Sequence, residues 1–168
     1  MRVVMVVSQN DFRDEELFDT KKVLEDFGLE VKVAAPKKNM ATGKLGGIIE
    51  PDLSIDEISE LFFDALVLIG GPGAFNFIED KDLHDLIKKF VQEKKTVGAI
   101  CIAPAILAKA GVLTKKKATV HSSGINYLEQ EKVNYTDQDV VEDENIVTAN
   151  GPAASSIFGQ TIIKNLKI

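Results

Sequence analysis

The sequence has few of the residues that cross-link proteins or bind metals. Its 168 residues include one cysteine, two histidines and no tryptophan. A single cysteine cannot form a disulfide within the chain, which suits a reducing compartment, and we expect a cytoplasmic protein. A structural zinc site is disfavoured, because such sites use four cysteine or histidine ligands and these three residues have no fitting spacing. We therefore expect no bound metal.

An excess of positive charge and long apolar runs are also missing. Lys and Arg number 20 against 26 Asp and Glu, so the net charge is −6. Duplex-binding proteins usually carry a basic face, and we expect no nucleic-acid partner. No stretch approaches the roughly 20 apolar residues of a membrane helix. The apolar run at 3–7 is too short for a signal sequence and is better interpreted as a buried first strand.

Short apolar runs alternate with amphipathic segments along the chain. Strands are predicted at 3–7, 31–35, 65–69, 97–100, 118–120, 139–141 and 146–148. Helical spacing of apolar residues predicts helices over 17–27, 83–91 and 103–110, and a last helix after Gly151-Pro152. This alternation predicts an α/β fold with a doubly wound, mainly parallel sheet and helices on both faces.

The chain shows no interdomain linker, and its 45% hydrophobic content is ample for one core. We expect a single domain, 1–168. The glycine-containing stretch 39–50 interrupts the alternation and is predicted to be an inserted hairpin or a set of irregular strands.

Residues with useful chemistry converge on one predicted edge of the sheet. Ligands of such sheets bind beyond the carboxyl ends of the strands. The segments that reach this edge are the loop 9–16, Gly70–Gly73, Cys101, His121 and Gly151-Pro152.

Cys101 lies between a predicted strand and a predicted helix. A lone cysteine is often only a small buried apolar residue, and this is the alternative interpretation. A sharp strand-to-helix turn would instead display the thiol over the sheet edge, where the helix end favours a thiolate. The position of Cys101 therefore predicts a reactive thiol.

Glu16 lies in the acidic stretch 14–16 at the start of the first predicted helix. Such charges stabilise a helix start without any catalytic role. Beside Cys101, however, a protonated Glu16 can donate a hydrogen bond to a thiolate, whereas an ionised one would raise the pKa of the cysteine. We expect a coupled pair in which neutral Glu16 holds an ionised Cys101.

The loop Gly70–Gly73 is either a simple turn or a source of exposed backbone N–H groups. The N–H groups of Gly71 and Ile102 are candidates for an oxyanion hole. His121 follows a predicted strand and can face the same pocket as a general base or a hydrogen-bond partner. A purely structural histidine is the alternative.

Two segments together resemble the ThiJ/PfpI (DJ-one) superfamily, which is class I glutamine amidotransferase-like. They are ALVLIGGPGA at 65–74 and VGAICIAP at 97–104, supported by DEEL at 14–17, AGVL at 110–113 and GP at 151–152. The resemblance implies a flavodoxin-like fold, a nucleophilic or redox-active Cys101 with Glu16 as its carboxyl partner, and a homodimer or higher homo-oligomer.

The activities implied by this resemblance are cofactor-free glyoxalase and deglycase chemistry, peptidase and chaperone activity, and oxidative-stress sensing. We favour a glyoxalase III or deglycase-like enzyme for small aldehyde-type substrates, with Cys101 as nucleophile and Glu16 and His121 as proton carriers. A redox sensor that acts through oxidation of Cys101 is the alternative. The peptidase branch has a histidine directly after its cysteine; here Ile102 stands there, so an intracellular peptidase is less favoured.

Overall fold

Seven strands form the central sheet of the computed structural model, which describes residues 1–167. Ile168, the last residue of the predicted domain 1–168, lies outside this range. In spatial order the strands are β11 (Val140–Asp143), β12 (Ile146–Ala149), β8 (Thr96–Ile100), β7 (Ala65–Leu68), β1 (Arg2–Val6), β3 (Glu30–Ala35) and β6 (Leu53–Ser54). All neighbours pair in parallel except β11 and β12, which pair antiparallel. The predicted mainly parallel α/β sheet is confirmed.

Helices cover both faces of this sheet. One face carries α2 (Lys81–Gln92), α3 (Pro104–Lys109) and α4 (Ile125–Gln130), and the other carries α1 (Asp14–Asp26) and α5 (Ser155–Asn165), which pack against each other. Because both faces are covered, the central strands are apolar throughout: β7 is entirely buried, and so is β1 from Val3 to Val6. Within residues 1–167, none of these helices is long and apolar enough to cross a membrane.

A small three-stranded sheet lies beside the central one. β4 (Ala41–Gly43) and β5 (Ile48–Ile49) form an antiparallel hairpin, and β2 (Asn10–Phe12) pairs with β4. The hairpin predicted for 39–50 is confirmed, whereas β2 was not expected in the loop 9–16. Asp14 connects the hairpin to α1, because its carboxylate accepts hydrogen bonds from the N–H groups of Leu45 at 2.8 Å and Gly47 at 2.6 Å.

The predicted strand 118–120 is wrong in extent and place. Only Lys117–Ala118 forms a strand, β9, and it pairs with β10 (Asn134–Tyr135) outside the central sheet. The chain then leaves the strand because the Thr119 N–H donates to the hydroxyl of Thr148 at 3.0 Å rather than to a backbone carbonyl. His121 therefore does not follow a strand of the central sheet.

The apolar spacing predicted that Phe27 faces the core, but the structure leaves it exposed. Phe27 and the buried Phe90 therefore form a matched pair for testing how much the core stabilises the fold. Phe90 of α2 is fully buried, whereas Phe27, directly after α1, is 52% exposed. We expect Phe90→Ala to lower the free energy of unfolding by about 3–5 kcal/mol, and Phe27→Ala by less than about 1 kcal/mol. Urea denaturation of both variants measures this difference; equal losses would contradict the packing described above.

Candidate active site

Cys101 occupies a strained turn directly after β8. Its φ of 64° lies in the left-handed region, which is uncommon for a residue with a side chain and costs free energy. Two backbone hydrogen bonds hold the turn: the Cys101 N–H donates to the Ala149 carbonyl at 2.9 Å, and the Cys101 carbonyl accepts from the His121 N–H at 2.8 Å. The turn displays the thiol at the carboxyl edge of the sheet, where it lines a cavity.

Glu16 reaches the same point from the first turn of α1. Its side chain is fully buried, and Oε2 accepts a hydrogen bond from the Gly70 N–H at 2.9 Å. A Cβ atom added to Gly70 would lie 2.8 Å from Glu16 Oε2 and 2.6 Å from Cys101 Cβ. The side chains of Cys101 and Glu16 therefore meet over Gly70, and any larger residue at this position would push them apart.

Burial dominates the ionisation of this pair. It raises the pKa of Glu16 to about 7, against the lowering effect of hydrogen bonds with the Cys101 thiol and the Gly70 N–H. Burial also raises the pKa of Cys101 to about 12, and the charge of an ionised Glu16 adds to the rise. These shifts mean that the carboxyl loses its proton near pH 7 while the thiol keeps its own, so the thiolate beside a neutral Glu16 that the sequence predicts is the minor of the two one-proton arrangements.

The carboxyl of Glu16 lies close to the thiol of Cys101. Among the described residues, Glu16 Oε1 has no partner of ordinary hydrogen-bond geometry, although the carboxyl lies within hydrogen-bond reach of the thiol. The expected helix effect on Cys101 is small beside burial, because α3 has only six residues and begins three residues after the cysteine.

The N–H groups of Gly71 and Ile102 lie against the Cys101 sulfur. Both lower the pKa of the thiol as nearby hydrogen-bond donors, against the larger effect of burial. Gly71 has a φ of 101°, and a Cβ atom there would lie 2.5 Å from the Asp11 carbonyl oxygen, so the position requires glycine. The structure thus brings together, beside the sulfur, the two amides expected to form an oxyanion hole.

His121 lines the same cavity without contacting the Cys101–Glu16 pair. Its Nδ1 accepts a hydrogen bond from the Ser123 N–H at 3.2 Å and lies 2.9 Å from Ser123 Oγ. A neutral ring that accepts at Nδ1 carries its proton on Nε2. In the part of the chain that the structure describes, the ring makes no hydrogen bond with either Cys101 or Glu16, and its catalytic role stays a prediction.

The cavity has a volume of about 360 Å³, within the usual range for small-molecule sites. Its lining also includes Arg13 and Pro152, from segments predicted to reach this edge, and Lys44, Phe75 and Ser123, which were not predicted. Lys44 was missed because it belongs to the inserted hairpin, and no spacing in the sequence connects that hairpin with Cys101. Across residues 1–167, no three His, Cys, Asp or Glu side chains form a group suited to hold a metal ion.

The raised pKa of Glu16 predicts a specific pH dependence of stability. Between pH 4.5 and about 7 the folded protein holds a proton on Glu16 that the unfolded chain releases, so the free energy of unfolding falls as pH rises through this window. Glu16→Gln removes this contribution. We expect the stability of the wild type relative to Glu16→Gln to fall by roughly 3 kcal/mol between pH 4 and pH 8.

Urea denaturation of both proteins across that range measures the difference, in which the other titrating groups cancel. Parallel pH profiles would show that the carboxyl of Glu16 titrates as an ordinary exposed one.

Comparison with known proteins places this geometry in a family. A model of the DJ-1/PfpI family matches residues 1–165. The chain is 33% identical over 164 residues to the deglycase PfpI of Pyrococcus furiosus, a match that covers 98% of this chain and 99% of that protein. It is 26% identical over 164 residues to the glutathione-independent glyoxalase DJR-1.2 of Caenorhabditis elegans, with 98% of this chain and 88% of that protein covered.

A solved structure gives the same result. The crystal structure of a ThiJ/PfpI domain protein from Brachyspira murdochii superposes with a TM-score of 0.96 at 34% identity, covering 99% of this chain and 96% of that one. With a family match over nearly all residues and a shared fold, the chain belongs to the DJ-1/PfpI family.

Proposed function

We propose that the protein converts small α-oxoaldehydes into α-hydroxy acids, with Cys101 as its nucleophile and no bound cofactor. The observation that carries this proposal is the contact between a thiol and a buried carboxyl at the edge of a cavity. Relatives named deglycase and glyoxalase support the same class of substrate.

The reactive form in this proposal has the proton on Glu16 and the negative charge on sulfur. A protonated Glu16 no longer raises the pKa of Cys101 by its charge, and it can donate a hydrogen bond to the thiolate. Oε2 already accepts from the Gly70 N–H, so Oε1 is the atom that carries the proton. The N–H groups of Gly71 and Ile102 stabilise the same anion.

The reaction then needs three steps. The thiolate of Cys101 adds to the aldehyde carbon, and the new oxyanion takes the proton of Glu16 while the N–H groups of Gly71 and Ile102 hold it. Glu16, now ionised, removes the hydrogen of that carbon as a proton and returns it to the adjacent ketone carbon, while the hydroxyl proton on the first carbon passes to the ketone oxygen. The first carbon thereby becomes a thioester carbonyl and the second carries the new hydroxyl group. The first carbon is oxidised and the second reduced, so no external oxidant is needed. Water hydrolyses the thioester and releases the hydroxy acid, with His121 as the second proton carrier.

The other activities of the family receive less support. Ile102 is a buried apolar residue and offers no proton acceptor for a peptidase. Oxidation of Cys101 is favoured by one observation, the partnerless Oε1 of Glu16, because a protonated carboxyl there would also stabilise an oxidised sulfur.

Turnover tests the proposal directly. We expect purified protein to convert methylglyoxal to lactate, with kcat/KM at least about a thousandfold lower in Cys101→Ser, since the nucleophile is lost. Proton NMR measures lactate, and circular dichroism checks that the variant is folded. No lactate above the Cys101→Ser background would refute the enzymatic proposal and leave the redox function as the better one.

Alkylation tests the shared proton independently of turnover. Because Cys101 is the only cysteine, iodoacetamide labelling reports on it alone. We expect the wild-type rate to show a first rise near pH 7, where the pair loses its first proton, because part of that anion lies on sulfur in the proposed reactive form. Glu16→Gln should react at least about tenfold more slowly at pH 7 and accelerate only at higher pH.

A wild-type profile identical to that of Glu16→Gln, with both rising only above pH 9, would show that no proton moves from sulfur to the carboxyl.

A further inference from the structure

One wall of the cavity carries positive charge. Arg13 and Lys44 line it, and no Asp or Glu does so within the described range. Arg13 is already engaged: its Nε and Nη2 donate to Glu15 at 2.9 and 3.1 Å. Lys44 Nζ, in contrast, forms no ion pair or side-chain hydrogen bond with any residue of 1–167. Lys44, an exposed residue whose ammonium group has no ion-pair partner among the described residues, therefore lines the same cavity as the thiol.

The backbone of Lys44 is held in place on two sides. Its N–H donates to the Phe12 carbonyl at 2.9 Å, which ties it to β2. The following residues are tied to α1, because the buried carboxylate of Asp14 accepts from the N–H groups of Leu45 and Gly47. The side chain of Asp14 thus holds the loop that carries Lys44 in place. Glu16, two residues later on the same helix, contacts Cys101.

We propose that Lys44 forms an anion subsite beside Cys101, and that the preferred α-oxoaldehydes carry a carboxylate at the end remote from the aldehyde. The anion subsite stands on the cavity geometry alone; only the substrate class rests on the proposed function. A single ammonium provides a point charge suited to one carboxylate oxygen. Lys44 is the side chain that supplies this charge, because Arg13 is paired with Glu15. A neutral substrate would leave this charge unused.

Two alkylating agents of nearly equal size test the subsite without any turnover. Iodoacetate is anionic and iodoacetamide is neutral, and both transfer a two-carbon group to sulfur with loss of iodide. The ratio of their rate constants at Cys101 reports the preference of the cavity for an anion. We expect Lys44→Gln to lower this ratio roughly threefold or more at low ionic strength, and added salt to lower the wild-type ratio.

Two further variants separate placement from net charge. Lys81→Gln removes the same charge from an exposed position outside the cavity and should leave the ratio unchanged. Asp14→Asn removes a negative charge, so the ratio would rise if net charge alone mattered. The substitution also weakens the hydrogen bonds that hold the loop after Lys44. We therefore expect the ratio to fall. Equal ratios in the wild type and Lys44→Gln would overturn the subsite.

A comparison of two substrates tests the proposed preference for a carboxylate. The probes are 4,5-dioxopentanoate, whose product is 2-hydroxyglutarate, and its neutral methyl ester. We expect the wild type to prefer the acid over the ester in kcat/KM, Lys44→Gln to lose most of this preference, and the control variant Lys81→Gln to keep both the preference and the activity on the ester. Activity on both without preference would overturn the substrate class. If the protein converts neither compound, nor methylglyoxal, the proposed function is wrong. The ratio of the two alkylation rate constants would still test the anion subsite.

Discussion

The contact of Glu16 with Cys101 over Gly70 is the constraint on which the rest of the site depends. Three chain segments must converge for it to form: the first turn of α1, the loop after β7 and the turn after β8. The sheet provides this convergence, because β1, β7 and β8 are parallel neighbours and their carboxyl ends lie at one edge. The absence of a side chain at Gly70 allows the last few ångströms of approach.

The first turn of α1 organises two sides of the cavity at once. Residues two apart on a helix face nearly opposite directions, and here Asp14 turns to the hairpin while Glu16 turns to the thiol. One short acidic stretch therefore positions both the carboxyl beside Cys101 and the loop that carries Lys44. These contacts add to the favourable effect of acidic residues on the start of a helix.

Sequence reasoning succeeded where a local pattern carries the information. Continuous apolar runs predicted the buried strands, and the step from strand to helix predicted the turn at Cys101, because each depends on residues that are neighbours in the chain. It failed where tertiary contacts decide. The strand at 118–120 is cut short by a side-chain bond to Thr148, and Lys44 reaches the cavity only through the pairing of β2 with β4.

The protonation of the pair shows why burial and chemistry belong together here. A lone buried thiol or a lone buried carboxyl would keep its proton near neutral pH, because desolvation raises the pKa of each. Placed in contact, the two need only one proton between them. The first proton to leave comes from Glu16, near pH 7, because burial raises the pKa of Cys101 to about 12 and the amides of Gly71 and Ile102 oppose only part of that rise. Burial in one low-dielectric site therefore couples the two ionisations, so that the charge on either group depends on the proton of the other.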